Sequence, residues 1–315
     1  MKRAFVTGGS GFLGGRLLSE LDTRRIPTAA LARSEHAAIA VRGHGAEPVR
    51  ADLDDVAALT EGMAGCDVVF HAAAYAKQHG PLAAFMTANV AGTENVIAAA
   101  RAAGVRRLVH VSTEAVLAGG KPIVRADETA PYPEHPVGPY PLTKGISERA
   151  VVAANDAQLE TVVVRPRFIW GRDDTTMLAG VIEAVKRKRF GWVGGGHYQT
   201  STCHVANVVE GMLLAAERGT PGEIYFLTDG EPVDFRLFVT AMLSTQGVDP
   251  GTRSLPRWVA TTVASLTSWM KQPPVTRTAI ALIAHEVTVN DTKARRELGY
   301  IGKTSREAGL AEMRG

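Results

Sequence analysis

Three glycines with a fixed spacing follow the first apolar run of the chain, and they constrain its fold more than any other feature. The run at residues 4–6 leads into Thr7, and Gly8, Gly11 and Gly14 then recur at every third position. Such a turn needs glycine torsions, close approach of the backbone to a ligand, and tight packing of the helix on the strand. The N-terminus of that helix offers free N–H groups to phosphates. The pattern therefore predicts a strand–turn–helix unit that binds a dinucleotide.

Short apolar runs alternate with helical stretches through the first half of the chain. Continuous Val, Ile and Leu runs are typical of strands buried on both faces, and strand–helix alternation predicts a parallel sheet. Strands are predicted at residues 4–6, 28–32, 47–49, 68–71, 108–111 and 161–164, and helices near residues 12–21, 54–63, 82–103 and 141–155. The predicted fold class is therefore α/β, with a Rossmann-type doubly wound parallel sheet.

The rhythm changes after Arg165, where loops rich in glycine and proline appear at residues 171–174, 194–196 and 273–274. Helices are predicted near residues 176–189, 205–217, 235–246 and 256–270, and a further strand at residues 223–227. We expect a dinucleotide-binding domain over residues 1–165, with return segments at about 198–228. Residues 166–197 and 229–315 would form a smaller, mostly helical substrate lobe.

Composition indicates a globular protein and no nucleic-acid partner. Hydrophobic residues make up 45% of the chain, charged residues make up 21%, and the net charge is +3. The densest basic cluster, residues 186–189, ends a predicted helix, where cations face the negative end of the helix dipole. No interleaved aromatic residues or nucleic-acid motif accompany it. The longest apolar stretches, at residues 259–270 and 279–284, are too short to span a bilayer.

Cysteine usage points to a reducing compartment. Cys66 and Cys203 lie far apart in the sequence and form no CxxC pair, so we expect neither a disulfide framework nor a metal site. Both are predicted to be buried free thiols. A cleaved signal peptide would remove the glycine motif near the N-terminus, which favours a cytoplasmic protein.

The end of the second predicted strand bears on the choice of cofactor. Arg33 and Ser34 stand where an NAD-selective site would place Asp or Glu to accept from the ribose hydroxyls. Arg33 offers a cation to a 2′-phosphate, and Ser34 could add a hydrogen bond. The sequence therefore favours NADP(H). If Arg33 is only a solvated surface residue, NAD(H) is the alternative.

Further cofactor contacts are predicted after the third and fourth strands. The Asp52 carboxylate could accept from the adenine amino group or cap the helix predicted from Asp54. Small residues after the fourth strand would let the backbone approach the cofactor. The predicted contacts in this half of the chain are Gly8, Ser10, Gly11, Phe12, Leu13, Gly14, Arg33, Ser34, Asp52, Leu53, Ala72, Ala73 and Ala74.

A tyrosine and a lysine four residues apart are candidates for acid–base chemistry. On a helix, Tyr140 and Lys144 share one face, and Pro141 between them suits a first turn. A phenol is a poor acid–base catalyst at neutral pH, but a nearby ammonium would lower its pKa. Lys144 could also bind ribose hydroxyls. Thr113, which follows Ser112 at the end of the fifth strand, could polarise a substrate carbonyl or merely cap a turn.

Together these residues resemble the extended branch of the short-chain dehydrogenase/reductase family, which includes the NAD-dependent epimerases and dehydratases. The resemblance covers nearly the whole chain and extends to residues 89–93, 165–171, 204–208 and 293–300. Within that family the chain looks most similar to the 3β-hydroxysteroid dehydrogenases and the dihydroflavonol-reductase group.

The resemblance implies a role for each matching residue. Thr113, Tyr140 and Lys144 would form the catalytic triad, with Tyr140 as the general acid–base and Thr113 on the carbonyl oxygen. Lys144 would tune the tyrosine and hold the ribose, and Asn89 would have a structural or proton-relay role. The nicotinamide would be bordered by Pro166, Phe168 and Ile169. Family dimers often pack through the fourth helix and the tyrosine helix, so a homodimer is expected.

The chain departs from part of this family directly after Thr113. Sugar-nucleotide dehydratases carry two acidic residues there, whereas here Glu114 is followed by Ala115. This argues against dehydration. We interpret Glu114 as a salt-bridged structural carboxylate, and an acid in the substrate pocket is the alternative.

The leading hypothesis is an oxidoreductase that interconverts a secondary alcohol and a ketone on a lipophilic, steroid-like or flavonoid-like substrate. The apolar residues Trp258 and Trp269 and the run at 259–270 favour it, although they could equally be ordinary core of the lobe. Substrate contacts are expected near residues 76–81, 114–120 and 191–202.

Three other functions compete with this hypothesis. A nucleotide-sugar epimerase or dehydratase would hold NAD tightly and neutralise a diphosphate with Arg167, Arg172 and Lys186, unless these are surface charges. A dinucleotide sensor without activity would not need the intact triad. Peripheral association with a membrane through residues 256–270 is the third alternative.

Overall fold

The computed structural model describes residues 1–77, 79–175, 177–267, 270 and 276–314. Its strands are β1 (Ala4–Thr7), β2 (Thr28–Leu31), β3 (Glu47–Val49), β4 (Val68–His71), β5 (Arg107–Val111), β6 (Ile123–Ala126), β7 (Glu160–Pro166), β8 (Ile169–Trp170), β9 (Trp192–Val193), β10 (Gln199–Thr200), β11 (Cys203–His204), β12 (Ile224–Leu227), β13 (Val233–Asp234), β14 (Ser254–Leu255) and β15 (Val287–Val289). Its α-helices are α1 (Phe12–Thr23), α2 (Glu35–Gly43), α3 (Val56–Met63), α4 (Leu82–Phe85), α5 (Gly92–Ala102), α6 (Pro139–Ala153), α7 (Met177–Lys186), α8 (Val205–Arg218), α9 (Phe235–Thr245), α10 (Arg257–Leu266), α11 (Arg277–Ile283), α12 (Thr292–Leu298) and α13 (Arg306–Glu312).

Seven parallel strands form the central sheet, in the order β12-β7-β5-β4-β1-β2-β3. Every residue of β1, β4 and β5 is buried, because helices cover both faces of the sheet. Side chains of α1, α2, α8 and α12 pack on one face, and those of α3, α5 and α6 pack on the other. The fold is therefore the predicted Rossmann-type doubly wound α/β sheet, and β12 is the strand predicted at residues 223–227.

The centre of this sheet assembles the segments that carry the sequence motifs. Strand β4 lies between β1 and β5, and Thr7, His71 and His110 stand at neighbouring positions across the three strands. Because parallel strands end at the same edge, the segments that follow β1, β4 and β5 emerge side by side. The glycine turn, residues 72–74 and residues 112–113 thus share one edge of the sheet.

Outside the central sheet, the chain forms a four-stranded sheet, in the order β13-β10-β15-β6, and the strand pairs β11–β8 and β14–β9. The sequence does not predict these strands, because two to four residues are too few to show an alternating pattern. Trp170, Trp192, Phe235 and Phe238 form an aromatic core there. Leu298 and other residues of the last segment pack instead with α1 and α8. The proposed domain boundaries stay a prediction.

Three helical regions differ from the predicted ones. The sequence does not predict α2, because its buried positions Ala37, Ala38 and Val41 give a weak apolar pattern. A π-helical turn, Met86–Ala91, separates α4 from α5 inside the helix predicted at 82–103. Helix α10 ends at Leu266, and Trp269 and the loop predicted at 273–274 lie outside the described residues.

Three sequence expectations concern the burial of the cysteines, the exposure of the basic cluster and the presence of membrane-spanning helices. Cys66 and Cys203 are buried free thiols, as predicted. The basic residues 186–189 are exposed at and beyond the end of α7. Within the part of the chain that the structure describes, no helix is both long enough and apolar enough to cross a bilayer.

Candidate active site

The glycine turn between β1 and α1 leaves no room for side chains. A Cβ on Gly14 would lie 2.0 Å from the carbonyl oxygen of Gly8, so only glycine fits there. Gly8 has a φ of 78°, in the left-handed region that glycine tolerates. Helix α1 begins after Gly11, and among the described residues no side chain caps it. The turn is therefore a cradle that fits the pyrophosphate of a dinucleotide.

The segment after β4 packs directly on this turn. A Cβ on Gly8 would lie 2.8 Å from the backbone nitrogen of Ala73 and 2.9 Å from the carbonyl carbon of Ala72. The Ala73 backbone nitrogen donates to the Thr7 hydroxyl at 3.2 Å. Ala72 and Ala73 are half-buried and Ala74 is exposed. Small residues after β4 thus allow the close backbone approach that the sequence analysis expects.

The residues predicted to choose between NADP and NAD lie at the ends of β2 and β3. Arg33 is exposed just beyond β2. The hydroxyl of Ser34 accepts from the Ala37 backbone nitrogen at 3.2 Å and caps α2, which leaves its proton for another partner. Asp52 does not cap α3, because Asp55 is the capping residue. The exposed Asp52 carboxylate accepts only from the adjacent backbone nitrogen of Leu53, at 2.8 Å, among the described contacts.

Helix α6 brings Tyr140 against the segment that follows β5. Thr113 and Glu114 both lie close enough to the phenol to influence its protonation. Burial raises the pKa of Tyr140 well above its ordinary value, and the nearby Glu114 carboxylate raises this pKa further. The structure therefore brings two members of the predicted triad together and holds the proton on the phenol.

Lys144 is buried one turn further along α6, and its ammonium is held by β5. The Nζ donates to the Val111 carbonyl oxygen at 2.8 Å and lies 3.2 Å from Nε2 of His110. Burial lowers the pKa of Lys144 to about 8, while the Glu148 carboxylate acts in the opposite direction. The ammonium is thus fixed beside the sheet edge, where burial makes it more acidic than an exposed lysine.

Two neutral histidines line the interior beside Lys144. His71 Nδ1 lies 2.7 Å from the Thr7 hydroxyl and its Nε2 lies 3.0 Å from the Thr93 hydroxyl. Burial and the Lys144 charge lower the pKa of His71 to about 3 and lower the pKa of His110 well below its ordinary value. A neutral His110 ring can accept from the ammonium, which makes it a support for Lys144.

A buried ion pair adjoins Thr113. The Thr113 hydroxyl donates to Glu114 Oε2 at 2.8 Å, and Arg167 Nη1 donates to Glu114 Oε1 at 2.9 Å. Arg167 also donates to the Thr200 hydroxyl at 3.1 Å and to the Leu282 carbonyl oxygen at 2.8 Å. Glu114 is 3% exposed and Arg167 is 5% exposed. The carboxylate is therefore salt-bridged, as the sequence interpretation expects, and it also contacts a predicted catalytic hydroxyl.

The predicted nicotinamide border lies at and after the end of β7. Pro166 is buried in β7, and Ile169 pairs with Cys203 between β8 and β11. Phe168 has a φ of 47°, which is strained for an aromatic residue. Its ring contacts Phe238, with centroids 5.8 Å apart. This ring packing holds Phe168 in its strained conformation, where the chain passes from the central sheet to the aromatic core of the second half.

Asn89 joins three segments around the site from the π-helical turn. Its Oδ1 accepts from the Tyr75 backbone nitrogen at 2.7 Å, and its Nδ2 donates to the Thr143 hydroxyl at 3.1 Å. Thr143 precedes Lys144 on α6. The structural role that the resemblance implies for Asn89 fits these contacts, since the amide ties the loop after β4 to the helix that carries Tyr140.

Comparison with known proteins identifies the family. Residues 5–257 match the model of the 3-beta hydroxysteroid dehydrogenase/isomerase family. The chain belongs to this family. A decarboxylating sterol-4-alpha-carboxylate 3-dehydrogenase of Dictyostelium discoideum is 32% identical over 331 residues, which cover 99% of this chain and 100% of its own. The chain is thus a member of an oxidoreductase family, as the motifs predict.

A more similar relative comes from Stigmatella aurantiaca. It is the 4-hydroxy-2-methyl-3-oxo-4-farnesyl-3,4-dihydroquinoline-1-oxide ketoreductase, 53% identical over 99% of this chain and 96% of its own. Among solved structures, a dTDP-glucose 4,6-dehydratase of Streptomyces venezuelae with NAD bound superposes with a TM-score of 0.78. It is 22% identical and covers 99% of this chain and 95% of its own, and at this identity the likeness shows the shared fold alone.

Sequence reasoning missed one residue of the site and left another open. The sequence gives one signal for His110, which is that this polar residue interrupts an otherwise apolar strand. The sequence leaves Arg167 either as a diphosphate ligand or as a surface charge, whereas the structure buries it and pairs it with Glu114. Arg172 and Lys186 are exposed.

Proposed function

We propose that this chain is an NADP(H)-dependent oxidoreductase that interconverts a secondary alcohol and a ketone on a lipophilic substrate. The observation that carries the proposal is that α6, which bears Tyr140, is bound to the end of β5 through the Lys144–Val111 hydrogen bond, at the sheet edge that also holds the glycine turn. The name of the relative from Stigmatella, a ketoreductase of a farnesylated ring compound, supports a lipophilic ring ketone as the substrate class.

In this proposal Tyr140 transfers the proton. When bound, the nicotinamide would supply or accept the hydride at the substrate carbon. Tyr140 donates its phenolic proton to the carbonyl oxygen during reduction, and the raised pKa of Tyr140 keeps that proton in place until the oxygen becomes basic. Thr113 orients the carbonyl oxygen, and the Lys144 ammonium stabilises the phenolate that the transfer leaves behind.

Replacing Tyr140 tests the proposal directly. Tyr140→Phe removes the proton donor and keeps the ring, so we expect reduction of a ketone to slow by about 10²–10⁴-fold. Binding of the nucleotide, followed by its fluorescence, should stay close to wild type because the glycine turn is untouched. Normal turnover by this variant would refute Tyr140 as the acid–base.

The preference for NADP(H) rests on Arg33. A guanidinium at the end of β2 pairs with a 2′-phosphate, whereas a carboxylate there repels the phosphate and accepts from ribose hydroxyls. Arg33→Asp should therefore shift the ratio of NADPH to NADH dissociation constants by about tenfold or more towards NADH. Direct titration with both nucleotides measures it, and an unchanged ratio would show that Arg33 does not contact the phosphate.

A nucleotide-sugar epimerase or dehydratase is the less supported alternative. Its substrate diphosphate needs free cations, and the charge of Arg167 is already balanced by Glu114 inside the protein. Ala115 also lacks the second acid of a dehydratase. NAD that survives dialysis together with activity on nucleotide sugars would favour this alternative over a reductase.

A further inference from the structure

The Thr113 hydroxyl has one proton, and that proton is committed. It is donated to Oε2 of Glu114 at 2.8 Å, while the hydroxyl oxygen accepts from the Ala115 backbone nitrogen at 3.2 Å. A hydroxyl can donate only one hydrogen bond at a time. In this arrangement Thr113 therefore cannot also donate to a substrate carbonyl, which is the task that the proposed function gives it.

Glu114 cannot simply turn away to release this proton. Its other oxygen, Oε1, accepts from Arg167 Nη1 at 2.9 Å, and Arg167 is itself anchored to Thr200 and to the Leu282 carbonyl oxygen. Both partners of the ion pair are buried, so separating them would leave an uncompensated charge. Oε2 is therefore an acceptor that is held at hydrogen-bond distance from Thr113.

We propose that Glu114 is a specificity residue that selects ketones with a hydroxyl on the carbon next to the carbonyl, an inference that rests on the reductase function proposed above. Oxygens on adjacent carbons are separated by about one hydrogen-bond length, as are the Thr113 hydroxyl and Glu114 Oε2. The substrate hydroxyl donates to Oε2 in place of Thr113, and the Thr113 proton turns to the carbonyl oxygen. Hydride delivery to the carbonyl carbon and proton transfer from Tyr140 to its oxygen then give a vicinal diol.

The same carboxylate rejects a different class of substrate. A 2-oxo acid has a carboxylate on the carbon next to its carbonyl, and this charge would face Glu114. Arg167 bonds the far oxygen of Glu114, so its charge offsets this repulsion only in part. The remaining like-charge contact disfavours such a substrate.

The test compares two ketones that differ by one hydroxyl. The purified enzyme is assayed with NADPH on two ketones, 1-tetralone and 2-hydroxy-1-tetralone. We expect a higher kcat/KM for the hydroxyketone, by about tenfold or more, and no turnover of phenylpyruvate. In Glu114→Gln the acceptor loses its charge, so the hydroxyketone advantage should fall by about tenfold while reduction of plain tetralone changes less.

The ratio of the kcat/KM values that one variant shows for the two ketones does not depend on how much of that variant is folded. Glu183→Gln is the matched control, since it makes the same chemical change at an exposed carboxylate on α7, and its ratio should equal the wild-type ratio. Equal kcat/KM values for the two ketones, or an unchanged ratio in Glu114→Gln, would overturn the inference and leave the reductase function standing. Reduction of neither ketone, with NADPH bound, would overturn both.

Discussion

At the scale of single residues, the site depends on groups whose burial sets their protonation. Tyr140 is protonated because its surroundings disfavour a phenolate, and the Lys144 ammonium is close to losing its proton because it is buried. His71 and His110 stay neutral beside that ammonium. The protein thus keeps the Lys144 ammonium as a titratable positive charge near the reacting edge, and pH determines whether the charge is present.

The pH dependence of reduction should report on Lys144. Its pKa is about 8 in the fold and near 10.5 without the fold, so between these values the folded chain holds fewer protons than the unfolded chain. We expect kcat/KM for ketone reduction to fall above about pH 8 as the ammonium is lost. Over the same range the free energy of unfolding should rise, because the cost of burying the Lys144 charge disappears. Rate profiles and urea unfolding across this range check both trends, and a rate that stays constant to pH 10.5 would contradict the assignment.

At the scale of elements, α6 is fixed to the sheet by a buried ionic network. Glu148, one turn beyond Lys144, accepts from Arg165 of β7 through both carboxylate oxygens, at 2.5 and 2.9 Å. It also accepts a hydrogen bond from the Tyr132 hydroxyl. Glu148 and Arg165 are almost fully buried. The network therefore sets the position of the helix that carries Tyr140 and Lys144.

Removing the charge of Glu148 should destabilise the protein strongly. Glu148→Gln keeps the shape but leaves the Arg165 charge buried without a counterion, and such changes cost about 3–5 kcal/mol. We expect a loss in this range in the free energy of unfolding measured with urea. Glu183→Gln is the control, because it breaks an exposed ion pair with Arg187 on α7 and should change little. Equal losses in the free energy of unfolding of the two variants would show that the buried network stabilises the protein no more than an exposed ion pair does.

The sequence predicts long, buried elements better than it predicts contacts between them. The strands from β1 to β5 and β7 follow from continuous apolar runs, and the glycine turn and the Tyr140–Lys144 spacing locate the site. The partners of Lys144 come from β5, so no local pattern connects them. The π-helical turn at Met86–Ala91 and the pairing of Glu114 with Arg167 also depend on tertiary packing, which a single sequence does not display.

At the scale of the whole molecule, the surface near α4 carries exposed apolar side chains. Leu82 is 50% exposed and Met86 is 36% exposed, at the start of the region where the family resemblance implies dimer packing. Exposed apolar side chains that lie close together are typical of protein–protein contacts. We therefore retain the homodimer as an expectation for the intact protein.

A charge on α4 should test that expectation. Leu82→Glu places a carboxylate in the expected interface, where it would lose water without a partner, so we expect a monomer. Light scattering after size-exclusion chromatography measures the mass. Ile39→Glu, which charges an exposed apolar position on α2, should remain a dimer. A monomeric wild-type protein would contradict the expectation.

The central sheet is completed late in the sequence, and this affects how the protein is made. Its outer strand β12 follows β7 by many residues, and α8 and α12, which cover one face, also come from the second half. A nascent chain that has reached Arg165 therefore carries an open strand edge and an apolar face that only later residues can cover. We expect a fragment that ends there to be prone to aggregation, because this strand edge and this apolar face stay uncovered.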